Sequence, residues 1–326
     1  MTTACIFGVG AIGGFLAVKL ATAGVRVTGI SRGAQLEAMR ARGLTLIERG
    51  KRETVQIRCV GTAQEAGPQE VIFLTLKSTE LPGVAALLRP LLGAGTTVVT
   101  VGNGFPWWYF FRAGPGGVNP TLASVDPRGA LWRLIGPEHA LGCVVYPAAR
   151  VVEPGVVEHV YGTRFSLGEP DGSLSVRARA ISDMMKSAGL DAPVRPDIRT
   201  EIWTKLAANA AYNPVSILTG ATLGQMLDDT GTASTLATIM SEAMAVAMSL
   251  GVRVPLQSRQ LMELTRPLAA HKTSMLQDLE ARRRVEIDPI AGAVAELARL
   301  RNVRTPALDA ILAVTKLRAR LAGCYG

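Results

Sequence analysis

A glycine-rich turn near the start of the sequence has the residue types and spacing of a site for a dinucleotide pyrophosphate. Residues 5–14 read CIFGVGAIGG, a G-x-G-x-x-G pattern between an apolar strand and an apolar helix. The first glycine permits a tight turn, the second lets the backbone approach the pyrophosphate, and the third lets helix and strand pack closely. Free N–H groups at the helix start attract the anion. We predict a dinucleotide site, with a chance glycine turn as the alternative, formed by Gly8, Gly10, Ala11, Ile12 and Gly13.

The residues after the second predicted strand, at 25–30, bear on which dinucleotide binds. A site specific for NAD usually ends this strand with Asp or Glu, whose carboxylate accepts hydrogen bonds from the ribose hydroxyls. This sequence has Ser31 and Arg32 instead. A hydroxyl and a guanidinium suit a 2′-phosphate, because arginine can bind phosphate through two N–H donors at once. The pattern favours NADP(H), and a solvated loop charge at Arg32 is the alternative.

A lysine and two asparagines share one face of a predicted helix in the second half of the chain. Lys205, Asn209 and Asn213 are spaced i, i+4 and i+8, which aligns them along the helix. One ammonium and two amides can together bind a carboxylate and a carbonyl, although a solvated polar stripe has the same spacing. The alanine-rich, apolar surroundings favour a binding face. The Asn213-Pro214 pair is predicted to end the helix at an interface.

Two further polar residues follow predicted strands of the first half. Asn103 comes after the strand at 97–101, and Lys77 comes after the strand at 71–76. Both are therefore expected at the carboxyl edge of the sheet, where open α/β folds bind ligands. A hairpin-type Asn-Gly turn and a solvated lysine are the alternatives.

A second polar cluster lies between residues 272 and 288. Ser274 and Asp278 are at helical spacing, while Glu286 and Asp288 precede Pro289 at the start of a predicted helix. Acidic residues at helix starts are ordinarily explained by capping and by the helix dipole. That explanation suffices for Asp288.

The elements that position these residues alternate between strand and helix in the first half. Strands are predicted at 25–30, 71–76 and 97–101, helices at 11–23, 34–42 and 81–92, and a hairpin at 44–47 and 55–60. After an irregular loop at 105–136, with glycines and prolines at 114–120, come strands at 141–149, 155–159 and 164–167 and a helix at 173–187. Later helices are predicted at 197–212, 232–250, 255–263, 287–300 and 306–321.

This order predicts an α/β fold in which a Rossmann-type doubly wound sheet is followed by an all-helical domain. Residues 1–195 are predicted to bind NADP and residues 196–326 to bind substrate and carry out catalysis. We expect the active site between the two domains.

Composition excludes several classes of partner. The net charge of +9 comes from scattered Lys and Arg, and the one run, at 282–284, has no interleaved aromatics, so nucleic acid is not expected. No apolar stretch approaches the roughly 18 residues of a membrane span, so no membrane partner is expected. The four cysteines lack metal-ligand spacing. They predict no metal site and a reducing, cytoplasmic location. Apolar helices in the second half could support a homodimer.

Together these motifs resemble the ketopantoate reductase family over nearly the whole chain. They are G-x-G-x-x-G at 8–13, T-L-K at 75–77, N-G at 103–104, K-L-A-x-N-x-x-x-N-P at 205–214, and S-M-L-Q-D at 274–278 followed by E-I-D at 286–288. The last two are much more specific than the glycine pattern. The resemblance implies NADPH-dependent reduction of a 2-keto acid to a 2-hydroxy acid.

The resemblance also implies a role for each polar residue. Lys205 corresponds to the catalytic lysine, and Glu286 would act beside the substrate and the cofactor ribose. From their place at the carboxyl edge of the sheet, and not from the resemblance, Lys77 and Asn103 are expected to contact the cofactor. Hydride transfer to a ketone leaves negative charge on oxygen, which a cation and amide donors stabilise, and a lysine can supply the proton. The substrate contacts implied are Asn103, Asn209, Asn213 and Ser274.

Three departures from the family pattern concern the substrate. An aromatic run at 107–111 follows the N-G turn, residues 215–223 contain no asparagine, and the strand at 142–146 is bulky. They suggest a paralogue that acts on a 2-keto acid bulkier or more apolar than ketopantoate, unless the aromatics form loop core or a partner surface, and ketopantoate itself stays the alternative substrate. A non-catalytic NADP-binding sensor or scaffold and an NAD-dependent hydroxy-acid dehydrogenase are the competing functions.

Overall fold

The computed structural model describes residues 3–113 and 121–326, so the glycine- and proline-rich stretch at 114–120 lies outside the described residues. The chain divides into two compact units. Unit 1 contains the described residues of Met1–Gly102, Pro106–Thr121 and Arg128–Ile198, and unit 2 contains Asn103–Phe105, Leu122–Pro127 and Arg199–Gly326. The functional division at residues 195 and 196 stays a prediction.

All strands of the described residues belong to unit 1. They are β1 Thr3–Phe7, β2 Arg26–Ile30, β3 Leu44–Glu48, β4 Lys51–Val55, β5 Arg58–Val60, β6 Val71–Leu74, β7 Thr97–Thr100, β8 Ala140–Val145, β9 Ala148–Glu153, β10 Val156–Tyr161 and β11 Phe165–Gly168. The helices of unit 1 are α1 Ala11–Thr22, α2 Gly33–Arg42, α3 Ala63–Ala66, α4 Leu81–Val84, α5 Ala130–Leu134 and α6 Val176–Ser187. Short 3₁₀ helices span Ala85–Leu91, Pro127–Gly129 and Pro137–His139.

Seven strands form the main sheet in the order β11-β8-β7-β6-β1-β2-β5. Neighbouring strands pair in parallel except β11, which pairs antiparallel with β8. Every residue of β6 is buried. A strand covered on both faces needs apolar side chains at every position, which explains this continuous apolar run. The predicted α/β class, with a Rossmann-type sheet before a helical second half, is confirmed.

Unit 1 also contains a four-stranded sheet that the sequence pattern did not predict, in the order β4-β3-β10-β9. This sheet packs on α1, because a Cβ at Gly14 would come within 2.5 Å of the Val157 side chain. The Phe15 ring also stacks on His159 at a centroid distance of 4.5 Å. Strands therefore cover α1 on two sides, which explains why its sequence is apolar almost all round.

Two predictions of strand boundaries were wrong, for the hairpin at 44–47 and 55–60 and for the strand at 141–149. The hairpin forms between β3 and β4, because Arg49 and Gly50 have φ values of 51° and 76° and close a tight turn. An Arg-Gly pair is a weaker turn signal than Asn-Gly. Residues 58–60 join the main sheet as β5, beside β2. The predicted strand at 141–149 is split between β8 of the main sheet and β9 of the second sheet.

The remaining helices lie in unit 2, apart from Ile198 at the start of the first. They are α7 Ile198–Thr219, α8 Leu223–Asp228, α9 Thr230–Ser249, α10 Ser258–Thr265, α11 Ser274–Glu280, α12 Ala293–Leu300 and α13 Pro306–Leu321. A 3₁₀ helix spans Arg266–Leu268, and a π-helical turn, Asp288–Gly292, precedes α12.

The prediction that α7 ends at Asn213-Pro214 was wrong. Helix α7 continues through Pro214 to Thr219. A proline inside a helix costs about 3 kcal/mol, because it lacks an N–H and crowds the preceding turn. Residues 210–217 are all buried, so packing on both sides of the proline offsets that cost.

The structure also describes the cysteines and the features that were considered for metal binding and membrane insertion. All four cysteines are free thiols, and burial raises the pKa of Cys5 to about 12, against the opposing charge of Arg58. Cys5 therefore behaves as a small buried apolar residue. Within the described residues, no helix is long and apolar enough to cross a membrane, and no group of three or more His, Cys, Asp or Glu could hold a metal ion.

Candidate functional site

The glycine turn of unit 1 is shaped by contacts that exclude larger residues at two of its positions. Gly8 has a φ of +100° and lies against Leu76, whose side chain would be 2.6 Å from a Cβ at this position. A Cβ at Gly13 would lie 2.3 Å from the Gly8 carbonyl oxygen and 2.4 Å from Thr75 Oγ1. The first and third glycines are therefore required by the turn and by helix packing, as the pattern predicted.

Gly10 is different, because a Cβ there would meet nothing within 4 Å. It is the N-cap of α1, no side chain caps the helix, and the first turn carries no acidic residue. Ala11 and Ile12 occupy that first turn, where N–H groups lack partners within the helix. Open space beside N–H donors that lack partners within the helix suits a pyrophosphate, so this turn fits the predicted cofactor.

Two residues that sequence reasoning missed hold the glycine turn in place. Thr75 Oγ1 donates to the Gly8 carbonyl oxygen at 2.6 Å. Gln35 Nε2 donates to the Val9 carbonyl oxygen at 3.0 Å, while its Oε1 accepts from Gly155 N at 2.9 Å. Thr75 belongs to the T-L-K motif, and its position directly after β6 could have identified it as a residue of the site. Gln35 carried no sequence signal.

The residues predicted to choose the cofactor follow β2. Ser31 N donates to the Val60 carbonyl oxygen at 3.2 Å, which ties this corner to β5. Arg32 is exposed, precedes α2, and within the described residues its guanidinium has no hydrogen bond or ion pair. Lys77 is half-buried, three residues after β6. The guanidinium of Arg32 is therefore available to an external anion.

In unit 2, the structure brings together two predicted residues that are far apart in sequence. Lys205 Nζ donates to Asn103 Oδ1 at 2.9 Å. The segment that carries Asn103 is fixed to the π-helical turn, since Phe105 N donates to the Pro289 carbonyl oxygen at 2.7 Å. Gly104 permits this approach: its φ is +96°, and a Cβ would lie 2.5 Å from the same oxygen. The N-G pair is thus a docking segment rather than a hairpin turn.

The polar face of α7 is not a solvated stripe. Lys205 and Asn209 are half-buried, and Asn213 is only 3% exposed. One turn further, Ser216 Oγ shares a 2.5 Å hydrogen bond with Thr273 Oγ1 and donates to the Asn213 carbonyl oxygen at 2.8 Å. This pair of hydroxyls connects α7 to the start of α11.

Ser274 is the exposed first residue of α11, and Thr273 caps that helix by accepting from Leu276 N at 3.1 Å. Asp278 Oδ1 forms an ion pair with Arg283 Nε at 2.9 Å, which joins α11 to the residues that follow it. Glu286 is 8% exposed and lies two residues before the π-helical turn. Acidic residues are rarely this buried unless they are paired, and the role of Glu286 beside substrate and cofactor stays a prediction.

Asp288 lies in the first turn of the π-helical segment, where the helix dipole favours an acidic residue, but no side chain caps that turn. Its carboxylate accepts from Tyr325 Oη at 2.9 and 3.0 Å and pairs with Lys316 Nζ at 2.8 Å. Asp288 therefore serves a tertiary contact with α13 and the residues that follow it.

The aromatic run packs into unit 1. Trp108 and Tyr109 are among its largest fully buried side chains, and Trp107 Nε1 donates to Thr100 Oγ1 at 3.2 Å. The Trp108 ring lies against Gly142 of β8, where a Cβ would be 2.7 Å away. These contacts match the loop-core alternative, so the expected aromatic pocket wall is not supported for residues 107–109.

Two protein-family models together match most of the chain. The family model described as ketopantoate reductase PanE/ApbA matches residues 4–172, and the model described as its C-terminal part matches residues 197–319. The chain belongs to the ketopantoate reductase family. It is therefore an oxidoreductase that acts on CH–OH groups, and the non-catalytic sensor is set aside.

Three similar proteins extend the family match. A 2-dehydropantoate 2-reductase from Mesorhizobium japonicum is 48% identical over 98% of both chains. A solved structure of a ketopantoate reductase candidate from Ralstonia solanacearum MolK2 is 39% identical over 99% of both chains, with a TM-score of 0.94. D-mandelate dehydrogenase, solved with NADH and anilino(oxo)acetate, shares the fold at a TM-score of 0.85 and 19% identity, over 98% of this chain and 99% of that chain.

Proposed function

We propose that the chain reduces 2-dehydropantoate, or a closely related 2-keto acid, to the 2-hydroxy acid with NADPH. The observation that carries the proposal is the hydrogen bond of 2.9 Å between Lys205 and Asn103. It joins a half-buried ammonium to the side-chain amide of Asn103, and a cation with amides is the set of groups that carbonyl reduction needs. The 48% identical relative from Mesorhizobium japonicum, a 2-dehydropantoate 2-reductase, supports the substrate.

Lys205 would do most of the chemical work. NADPH, when bound, supplies the hydride, and the ketone oxygen then gains negative charge. The Lys205 ammonium stabilises that charge more in the transition state than in the ground state, and its proton completes the alcohol. Asn103 Oδ1 holds Nζ in one orientation, so little reorganisation is needed during the reaction.

The remaining polar residues would bind the substrate. Asn209 and Asn213 lie on the same face of α7 as Lys205 and provide amide donors for a carboxylate or hydroxyl. Ser274 would add a hydroxyl from the start of α11. Glu286 would accept hydrogen bonds from a substrate hydroxyl and from the cofactor ribose.

The cofactor would be held by the glycine turn and the end of β2. Gly8, Gly10, Ala11, Ile12 and Gly13 would form the pyrophosphate site, and Lys77 and Asn103 would contact the cofactor further along. The fold by itself does not choose between dinucleotides, since D-mandelate dehydrogenase of similar fold was solved with NADH. Ser31 and Arg32 favour the 2′-phosphate of NADPH.

The test is a set of initial rates for 2-dehydropantoate and for 2-keto acids of graded size, each with NADPH and with NADH. We expect NADPH to be preferred and 2-dehydropantoate to have the highest kcat/KM, since residues 107–109 pack into unit 1 and leave the bulkier-substrate hypothesis with less support. A higher kcat/KM for an apolar 2-keto acid would restore that hypothesis. Equal rates with both cofactors would overturn the NADPH assignment.

Assignment of cofactor binding to residues 1–195, and of substrate binding and catalysis to residues 196–326, forms part of this proposal, as does a homodimer. A dimeric ketopantoate reductase from Staphylococcus aureus shares the fold at a TM-score of 0.76 and 18% identity, over 98% of this chain and 100% of that chain. The exposed Val314, Leu317 and Leu321 of α13 favour association. Sedimentation of the purified chain tests it.

A further inference from the structure

We propose that Tyr325 is a positioning residue, which fixes the turn that carries Glu286 and, through that turn, the Asn103 segment that contacts Lys205. The inference rests on the proposed function, because it concerns the support of the same site. Every residue in the network lies in unit 2.

The network starts at Asp288, the first residue of the π-helical turn. Its carboxylate accepts from Tyr325 Oη at 2.9 and 3.0 Å and from Lys316 Nζ at 2.8 Å. Lys316 Nζ also lies 5.5 Å from the centroid of the Tyr325 ring. Gly292 leaves room for this carboxylate, because a Cβ there would be 3.1 Å from Asp288 Oδ1. Hydrogen bonds to a charged group are stronger than neutral ones, so Asp288 is held in one place.

The residues before Asp288 are fixed by the same segment. Val285 N donates to the Cys324 carbonyl oxygen at 3.1 Å, and Cys324 is itself buried. Glu286 lies between these two attachments, one on its N-terminal side and one on its C-terminal side. Its backbone is therefore held on both sides.

Pro289, the residue after Asp288, connects the turn to the segment that carries Asn103. The Pro289 carbonyl oxygen accepts from Phe105 N at 2.7 Å, with Gly104 in close contact. Asn103, the next residue along, accepts from Lys205 Nζ at 2.9 Å. Three successive contacts thus lead from Tyr325 to the ammonium of Lys205.

A π-helical turn is rare and occurs frequently at functional sites, where it re-aims a few residues. Here the Pro289 carbonyl oxygen of the turn accepts from Phe105 N, and the buried Glu286 lies two residues before the turn. Catalytic groups must be held within about 0.5 Å of their productive positions by supporting contacts. Tyr325 and Lys316 supply that support from outside the reacting groups.

The experiment compares Tyr325→Phe with the full-length wild type, and uses Tyr161→Phe, an exposed tyrosine of β10, as the matched control. Tyr325→Phe keeps the ring and removes the hydroxyl that binds Asp288. We expect kcat for 2-dehydropantoate to fall about threefold to tenfold, the effect of one hydrogen bond, and the Kd for NADPH to rise by no more than that factor, since Glu286 and Asn103 would also contact the cofactor. Lys316→Met should lower kcat in the same direction, and the double variant should lose less than the product of the two.

Amide hydrogen exchange gives a readout that does not need activity. In Tyr325→Phe we expect faster exchange at Phe105 and within residues 286–292, and unchanged exchange in β1 and α1. Unchanged exchange at Phe105 would overturn the network, and faster exchange with an unchanged kcat would overturn its role in catalysis. Should the wild type reduce no 2-keto acid, the proposed function fails, while the exchange data still decide the network.

Discussion

The glycine turn of unit 1 and the lysine face of unit 2 are both candidate binding surfaces, but they are built in different ways. In the glycine turn, contacts within a few residues and with the adjacent strand fix the geometry: Gly13 lies against the Gly8 carbonyl oxygen and Thr75. In the lysine face, the decisive contact joins Lys205 to Asn103, 102 positions away. The first surface is formed by steric exclusion of side chains, and the second by hydrogen bonds between them.

This difference determines how each surface should fail. A turn defined by the absence of Cβ atoms is damaged when atoms are added, and the damage appears as lost stability or lost cofactor binding. A surface defined by charged and amide groups is damaged when atoms are removed, and the damage appears in the rate. Substitutions in the two regions should therefore have separable effects.

The largest effect is expected for Lys205→Ala. Removal of a positioned charge that stabilises an oxyanion lowers kcat by about a hundredfold or more, because no other group replaces it in the transition state. Binding of NADPH should be nearly unchanged, which a cofactor titration checks. Lys186→Ala, an exposed lysine of α6, is the matched control. Near-normal turnover of Lys205→Ala would show that the lysine face does not take part in the reaction, and would contradict the contrast between the two surfaces.

The second largest effect is expected for Arg32→Ala, which should change only the preference for NADPH over NADH. Loss of a guanidinium that binds the 2′-phosphate should weaken NADPH by about 1.5 to 3 kcal/mol and leave NADH unaffected. Arg26, exposed at the opposite end of β2, supplies the control Arg26→Ala. Dissociation constants for both cofactors decide the matter, and parallel weakening in the two variants would indicate only a general loss of positive charge.

A matched pair of glycine substitutions sharpens the distinction within unit 1. Gly13→Ala puts a Cβ 2.3 Å from a backbone oxygen and should destabilise the fold by about 1 to 3 kcal/mol, the usual range for overpacking. Gly10→Ala meets nothing within 4 Å, so it should leave the unfolding midpoint unchanged while weakening NADPH. Urea unfolding and cofactor titration measure the two effects. Equal destabilisation by both substitutions would contradict the assignment of Gly10 to the ligand.

The smallest effect concerns pH. Burial disfavours the charge of Lys316, but its contacts with Asp288 and Tyr325 outweigh burial and hold the pKa of Lys316 above the usual value for a lysine. A raised pKa contributes stability that is fully present below the unfolded value and is lost as pH rises through the folded value. Unfolding free energies should therefore fall above about pH 10.5, and less steeply in Lys316→Met. Identical slopes would mean that the Lys316–Asp288 pair adds no stability.

Parts of the fold and site that depend on local pattern were predictable. The continuous apolar run of β6 and the glycine spacing predicted the main sheet and its first turn. The second sheet was not predictable, because β3 pairs in parallel with β10, more than 100 residues later. The length of α7 was also missed, since a proline is a local signal and the burial around it is not.

The sequence by itself determined the family, the α/β class and the residue types of both surfaces, because periodicity, glycine spacing and motifs are written in neighbouring positions. Only the tertiary structure decided that Asn103 binds Lys205, that Asp288 pairs with Lys316 and Tyr325, and that the aromatic run packs into unit 1. Each of these contacts joins segments distant in the chain. Their partners are chosen by how helices and strands pack, and no local pattern records that choice.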